Sequence, residues 1–343
     1  MIEPIHVSRR SFMAASAAVA TSTLIGRRVF ADETPVASSL AQIAITLDLE
    51  MSRNFPVWEE TRWDYEKGNL NDETKRYTVE ACRRVKAAGG VLHCFAVGRV
   101  FEQADVSWLQ EIAAAGHPIG NHTYDHVNVT ATKPEDIQYR FSRSPWLLEG
   151  RAPAEVIREN IRLTSVAMKN RLGIDPAGFR TPGGFATGLT DRPDVQQMLL
   201  ELGFKWVSSV YTPHPLGKPP ENGKPVDPPG EEVFTAIVAA QAKSQPFVYP
   251  SGLVEVPMSP ASDITAFRSG RWKLESFLES IRRGVKRAIE NRAAYDFLAH
   301  PSCLYVTDPE FKAIDTICEL VKASAGQAEI VSVGTLAKRA KNI

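Results

Sequence analysis

What the chain has little of narrows its chemistry first. Cysteine occurs four times in 343 residues, as Cys82, Cys94, Cys303 and Cys318, with no C-x-x-C spacing. A thiolate metal knuckle or a dithiol redox centre is therefore not written here, and buried free thiols are the expectation. A surplus of one charge is also missing: 40 Lys and Arg stand against 40 Asp and Glu. No broad field is available to hold nucleic acid or an anionic membrane, so a neutral or locally charged substrate is expected. The longest weakly apolar stretch, Met13 to Ile25, is too short to span a bilayer comfortably, so no integral membrane segment is expected in the mature protein.

That stretch is instructive for what precedes it. Ser8-Arg9-Arg10-Ser11-Phe12 is followed by an Ala/Ser/Thr-rich run and by Val29-Phe30-Ala31, which resembles a twin-arginine export signal. Residues 1–31 are then removed targeting sequence that engages the twin-arginine export machinery, 32–40 are a linker, 41–337 are the folded domain and 338–343 are a tail. The expected location is periplasmic or secreted. A disordered tail with a chance arginine pair would look the same.

From residue 41 onward short apolar runs alternate with amphipathic helices. Ile43–Leu47 reads as a strand. Residues 72–88 read as a helix with Ala81, Cys82, Val85 and Ala88 on one face, stopped by Gly89-Gly90. Val91–Val97 is an almost unbroken apolar run, as in a strand covered on both faces. Asp105 can cap a helix that Gly116 ends. Further helices are expected near 154–171, 194–202 and 274–289, with strands ending at Arg180, spanning 204–210 and spanning 295–299. Asp308-Pro309 reads as a cap and first-turn proline ahead of a final helix through Val321. Repeated strand–helix units favour one α/β domain with a parallel sheet, either a barrel or a doubly wound sheet. Residues 52–71, with Trp58, Trp63 and Tyr65, and residues 212–231 read as loops. The aromatics could stack on a sugar ring or simply pack their loop.

Four sequence features carry chemistry. Thr46-Leu-Asp48-Leu-Glu50 places two acids on the same side of a strand end, costly unless a cation compensates them. His122 and His126, four apart, are expected on one side of a helical turn, where both can offer nitrogen to one divalent metal. With Glu50 they would leave a coordination position open for water, and Asp48 free to act as a base. Arg180, in Gly178-Phe-Arg-Thr-Pro-Gly-Gly184, can hold a carboxylate in fixed orientation. His300, after the apolar strand 295–299, is placed for proton transfer. His93, His117, His214 and Glu255 carry a structural expectation.

In this order the features resemble the polysaccharide deacetylase family, the NodB-homology carbohydrate esterases, over residues 41–337. Gly116–His126 is similar to that family's H-[ST]-x-x-H metal motif, Arg180-Thr-Pro182-Gly-Gly184 to its R-x-P-x-G motif, and the strand into His300 to the motif supplying the catalytic acid. The resemblance implies a distorted (β/α)7-type barrel and metal-dependent removal of acetyl groups from amino sugars. It implies Asp48 as base, His300 as acid and Arg180 orienting Asp48. Glu50, His122 and His126 are the metal ligands, and Gly183, beside Pro182, supplies an oxyanion N–H. The ion expected is Zn²⁺, with Co²⁺, Ni²⁺ or Mn²⁺ as alternatives.

Three departures accompany the resemblance. Leu49 stands where a second adjacent acid is common, so Glu50 takes the ligand role. Gly183 replaces an aromatic. Val207 occupies the place of an Asp that tunes the catalytic histidine, so either another acid replaces it or His300 works untuned. The expected substrate is chitin, peptidoglycan or an exopolysaccharide. The alternatives are hydrolysis of a C–N bond in a small or cyclic amide, and a non-catalytic secreted glycan-binding protein.

Overall fold

The computed structural model describes residues 40–53, 63, 66–138, 144–217 and 228–340. In chain order the strands are β1 (Ala41–Leu49), β2 (Leu92–Ala96), β3 (Ile119–Asn121), β4 (Gly178–Phe185), β5 (Trp206–Val210), β6 (Phe247–Val248), β7 (Val254–Glu255), β8 (Ala294–Ala299) and β9 (Ala328–Ile330). The α-helices are α1 (Asp72–Ala87), α2 (Ser107–Ala114), α3 (Pro134–Ile137), α4 (Pro153–Leu172), α5 (Pro193–Glu201), α6 (Glu231–Gln241), α7 (Leu274–Glu290), α8 (Pro301–Thr307), α9 (Lys312–Ala323) and α10 (Val333–Arg339).

The sheet order is β6-β7-β5-β4-β3-β2-β1-β8, with β9 also paired to β1. All pairings are parallel except β6 with β7. β1 is central because both its edges are used. Its first half pairs with β9 and its second half with β2 along one edge, while β8 runs along the other. All nine residues of β1 are buried, which is why the strand is apolar apart from the positions that build a polar interior. The sheet curls, and the segment after β7 reaches β8 through a hydrogen bond from Ser259 N–H to the Asp296 carbonyl (2.9 Å). The result is a curled half-barrel wrapped by helices, the expected distorted (β/α) architecture, and Pro35–Ile343 form one compact unit.

Alternation along the strands separates two cores. Odd residues of β1 (Ile43, Ile45, Leu47, Leu49) pack outward against α1 and α7 residues such as Val85, Phe277 and Ile281. Even residues point inward. At the N-terminal end of the barrel Ala44, Phe95, Trp206 and Ala294 meet Val333 and Leu336 of α10, which plugs the floor. One layer higher the interior becomes polar, with Thr46, Arg180, Ser208 and Asp296 all buried.

Several sequence expectations need correction in detail. His122 and His126 do not lie on a helical turn. They sit in an irregular loop after β3, in which Thr123 (φ 59°) and His126 (φ 56°) adopt left-handed backbone. A spacing of four suits a helix, but left-handed turns bring the same two side chains together. The helix near Asp308 starts at Lys312, so Pro309 is not in its first turn. Asp308 instead caps from four and five residues back, accepting from the Lys312 and Ala313 N–H groups (2.9 and 2.8 Å). Nor is that helix the last, since β9 and α10 follow, and α10 runs past residue 337. Glu231, the last residue of the loop expected over 212–231, begins α6. Trp63 is buried within the main core, away from any stacking role, while Trp58, Tyr65 and the export-signal reading of 1–31 lie outside the described residues.

Candidate active site

A cavity of about 270 Å³ opens at the C-terminal end of β1, and its walls include Asp48, Glu50, Lys67, His122, His126, Thr181, Gly183, Gly184, Leu298 and His300. Ligands of parallel α/β folds collect at this end, where strand-to-loop transitions free side chains for chemistry. Every expected site residue except Pro182 is either in that wall or directly behind it. Pro182 is buried within β4 and shapes the turn instead.

Arg180 is the keystone. It is fully buried and stacked on the Phe95 ring at 4.2 Å. Its Nη1 donates to Thr46 Oγ1 (2.6 Å) and Asp48 Oδ1 (3.2 Å), and its Nη2 to Ser208 Oγ (3.2 Å) and Asp296 Oδ2 (2.5 Å). A buried guanidinium is tolerable only when paired and hydrogen-bonded, and one fork here organises two carboxylates. Burial pushes the Asp296 carboxyl up to about 6 despite the arginine. Asp48, nearer the cavity, is left with Oδ2 facing His122 Nε2 at 3.7 Å.

The histidine loop is held tightly from below. The Asn121 carboxamide accepts from the Thr123 N–H (2.9 Å) and donates to the Ile161 carbonyl (2.8 Å) of α4. The Thr123 hydroxyl accepts from the Val127 N–H (3.0 Å). Gly98 permits the close approach that completes the turn: a Cβ there would lie 2.8 Å from Tyr124 Cα and 2.6 Å from Thr164 Oγ1. Left-handed backbone at a β-branched threonine is strained and persists only because these bonds over-determine it.

Glu50, His122 and His126 each offer one ligand atom, all within 4.8 Å of one another. Three observations fit this set to a divalent ion. His122 Nδ1 lies 2.9 Å from the Arg180 carbonyl, which can only accept, so Nδ1 carries the proton and Nε2 presents a lone pair to the cavity. Burial also drives the His122 pKa down to about 4, keeping it neutral as ligation requires. Glu50 Oε2 is buried without a hydrogen-bond partner, close to His126 Nε2 at 2.6 Å. Burial alone would raise the Glu50 pKa, but His126, Lys67 and His300 hold it well below the ordinary carboxylate range. Lys67, bonded to Glu50 Oε1 at 3.1 Å, orients this carboxylate from the cavity wall.

His300 begins the turn from β8 into α8. The acid expected at the position of Val207 is supplied from elsewhere: Asp263 Oδ1 accepts from His300 Nδ1 (2.9 Å) and Oδ2 from its backbone N–H (2.7 Å). Val207 itself is buried in an apolar cluster with Phe179 and Leu253. Burial disfavours the His300 imidazolium, but Asp263 more than offsets this and the pKa is raised. Nε2 faces the cavity, 3.7 Å from Glu50 Oε1. Sequence reading missed Asp263, whose Ser-Asp-Ile context carries no motif, and Asp296, hidden in an apolar strand. Parity gave a usable signal for Asp296, because it pairs in register with Ala44 beside inward-facing Thr46.

Gly183 lines the cavity with φ 74°, a conformation that suits glycine and turns its backbone away from the strand ladder. Glu255, by contrast, is structural, accepting from the Ser209 and Val210 N–H groups and the Tyr249 hydroxyl. All four cysteines are free, three of them buried.

The description polysaccharide deacetylase belongs to the family model that matches residues 69–206. The chain is similar to that family over these residues. The match supports a hydrolase acting on carbon–nitrogen bonds other than peptide bonds. The matched residues contain His122, His126, Arg180 and Gly183, whereas Asp48, Glu50 and His300 join the site from outside them. No curated protein sequence matches the chain. Among solved structures, the fold is similar to a polysaccharide deacetylase described from Mycobacterium smegmatis (15% identity, TM-score 0.57, covering 90% of this chain and 92% of that one). It is similar also to an allantoinase (14% identity, TM-score 0.56, 94% and 97%), and to a protein described as a polysaccharide deacetylase from Pseudomonas aeruginosa PAO1 (11% identity, TM-score 0.56, 88% and 91%).

Proposed function

We propose that this protein is a metal-dependent deacetylase that removes N-acetyl groups from an amino-sugar-containing glycan and releases acetate. The observation that supports it best is that one cavity joins a Glu50–His122–His126 ligand set to Asp48 on one side and the His300–Asp263 pair on the other. A divalent ion held by those three ligands, most simply Zn²⁺, would supply Lewis acidity toward the acetyl carbonyl. Asp48, fixed by Arg180, accepts a proton from the attacking water. The Gly183 N–H is available to the oxygen that gains negative charge, and donors of this kind typically contribute about 10²–10³ in rate. His300, protonated with the help of Asp263, delivers a proton from Nε2 to the departing nitrogen. The products are acetate and a free amine.

The arginine pair in residues 1–31 supports export by the twin-arginine route, with a periplasmic or secreted product. No helix among the described residues is long and apolar enough to cross a membrane.

A second reading keeps the site and changes the substrate to a small or cyclic amide. The modest cavity of about 270 Å³ favours it, and one similar fold is an allantoinase. A non-catalytic glycan-binding role loses one of its two motives, because Asp263 partners His300 in place of an acid at Val207; the other, the aromatic loop, has Trp58 and Tyr65 outside the described residues.

Acetate release by residues 32–343 from chitin oligomers and peptidoglycan fragments separates the readings. The deacetylase reading expects acetate that disappears on chelation and returns with zinc. Ammonia or ring-opened acid from small amides, with no acetate from glycans, would transfer the assignment to the second reading.

A further inference from the structure

We infer that the cavity carries a carboxylate-recognising subsite centred on Arg268, so that the substrate is an N-acyl compound with an anionic substituent near the scissile bond. The inference deepens the proposed function and rests on it. Arg268 lies on a π-helical segment, Ile264–Ser269, directly after the Asp263 that holds His300. Ile264, Thr265 and Arg268 all line the cavity. Because a π turn takes more than four residues, positions i, i+1 and i+4 share a face, and such segments cluster at functional sites.

Every other strong charge at the cavity is already committed. Lys67 is bonded to Glu50, Arg180 to Asp48 and Asp296, and Asp263 to His300. Arg268 is the exception: it is half-buried and, among the described residues, makes no hydrogen bond or ion pair. Five donors drawn partly out of water without an acceptor are unfavourable unless a ligand supplies one. The neighbouring hydroxyls do not compete for it. Tyr211 Oη lies 2.8 Å from Thr265 Oγ1 and accepts from the Ser262 N–H (2.9 Å), and Ser262 Oγ lies 3.2 Å from Thr265 Oγ1. These bonds fix the wall from which Arg268 projects.

Charge balance points the same way. Besides its three histidines the cavity is lined by two acids, Asp48 and Glu50, and two permanent cations, Lys67 and Arg268, so a divalent ion leaves a positive surplus that an anionic substrate would neutralise. A single guanidinium fork matches a planar carboxylate bidentately. A phosphate would bring further acceptors that no other uncommitted cation of this wall meets.

The test compares two sugars that differ in one group, N-acetylmuramic acid with its lactyl carboxylate and N-acetylglucosamine without it. N-acetylglycine serves as a small non-sugar acid. Binding is measured by calorimetry on the zinc-loaded protein, its Arg268→Gln variant and its Arg268→Lys variant, each checked for an unchanged melting temperature. The expected result is at least a tenfold preference for the acidic sugar over its neutral twin, collapsing toward one in Arg268→Gln and partly restored in Arg268→Lys. Preference for N-acetylglycine over both sugars would keep the subsite and move the substrate to a small amide acid. Equal affinity for the sugar pair in the wild type, a preference that survives Arg268→Gln, or displacement by inorganic phosphate more readily than by acetate would overturn the proposal. These readouts need no turnover. Absence of acetate release with an intact Arg268-dependent preference would therefore remove the deacetylase reading and leave the subsite.

Discussion

His300 at the mouth of the barrel and His93 toward its floor are both buried, 9% and 4% exposed, yet the interior drives their protonation in opposite directions. Around His93 are the Phe95 ring, stacked at 4.5 Å, and the edge of Trp206 at 5.6 Å. The nearest strong charge acting on it is the Arg180 cation, so desolvation and repulsion together pull its pKa down to about 3. His300 suffers the same desolvation but has Asp263 against Nδ1, and its pKa rises. Burial sets no chemical role for a histidine; the sign of the charge beside it does. Arg180 links the two regions, facing the carboxylates above and the aromatic stack below.

The comparison can be broken most severely at the mouth. Asp48→Asn keeps the shape of the side chain and a hydrogen-bonding contact for Arg180, but removes the only group of the pair positioned to take a proton from water. Turnover should fall by about 10²–10⁴, with metal content and melting temperature retained. Rates, metal analysis and a thermal melt on one preparation check this, and near-wild-type turnover would remove Asp48 as base.

Asp263→Asn tests the other half of the comparison by making the surroundings of His300 more like those of His93. The carboxamide can still accept from Nδ1–H but no longer offsets desolvation, so the imidazolium is lost at lower pH. A catalytic acid with a raised pKa is active below that pKa and inactive above it. The alkaline limb of kcat should therefore move to lower pH, with roughly a 10–10² fall in rate at neutral pH. A pH–rate profile whose alkaline limb does not move would show that Asp263 has a purely structural role.

These two acids also show where the sequence was legible. Asp48, Glu50 and His300 could be read because each lies at the end of an apolar strand, where period-two parity and the start of a loop leave few alternatives. The strand–helix alternation was legible for the same reason in β1, β2, β5 and β8, and for α1, α4 and α7. Arg180 was read from its Arg-Thr-Pro-Gly-Gly context, and it lies inside β4 rather than at the strand end expected there. Asp263 was not, because it comes from an irregular segment and reaches His300 only through the fold. The resemblance pointed to the position of Val207 for that acid, and only the chain's path past β8 brings Asp263 to His300 instead. The histidine loop was half legible: the two side chains meet beside Glu50 as the spacing suggested, but left-handed turns at Thr123 and His126 carry no spacing signature of their own. Short elements such as β6, β7 and α10 rest on tertiary packing rather than periodicity.

His93 offers the smallest effect and the cleanest control. It sits on β2 opposite Thr46 of β1, its Nδ1 has no hydrogen-bond partner, and no acid compensates it. His93→Leu is close to volume-conserving, so its cost near neutral pH should stay below about 1.5 kcal/mol, with turnover nearly unchanged. Its signature lies in acid. A histidine whose folded pKa is about 3 and whose unfolded pKa is near 6.5 binds its proton preferentially when unfolded. The stability it confers is complete above pH 6.5 and drains away as pH falls toward 3. The variant lacks that penalty, so urea midpoints of the two proteins should converge, or cross in favour of His93→Leu, as pH drops from 7 to 4. Parallel curves over that range would mean that His93 takes up a proton in the folded barrel as readily as in the unfolded chain. The aromatic floor would then not be the proton-excluding counterpart of the mouth.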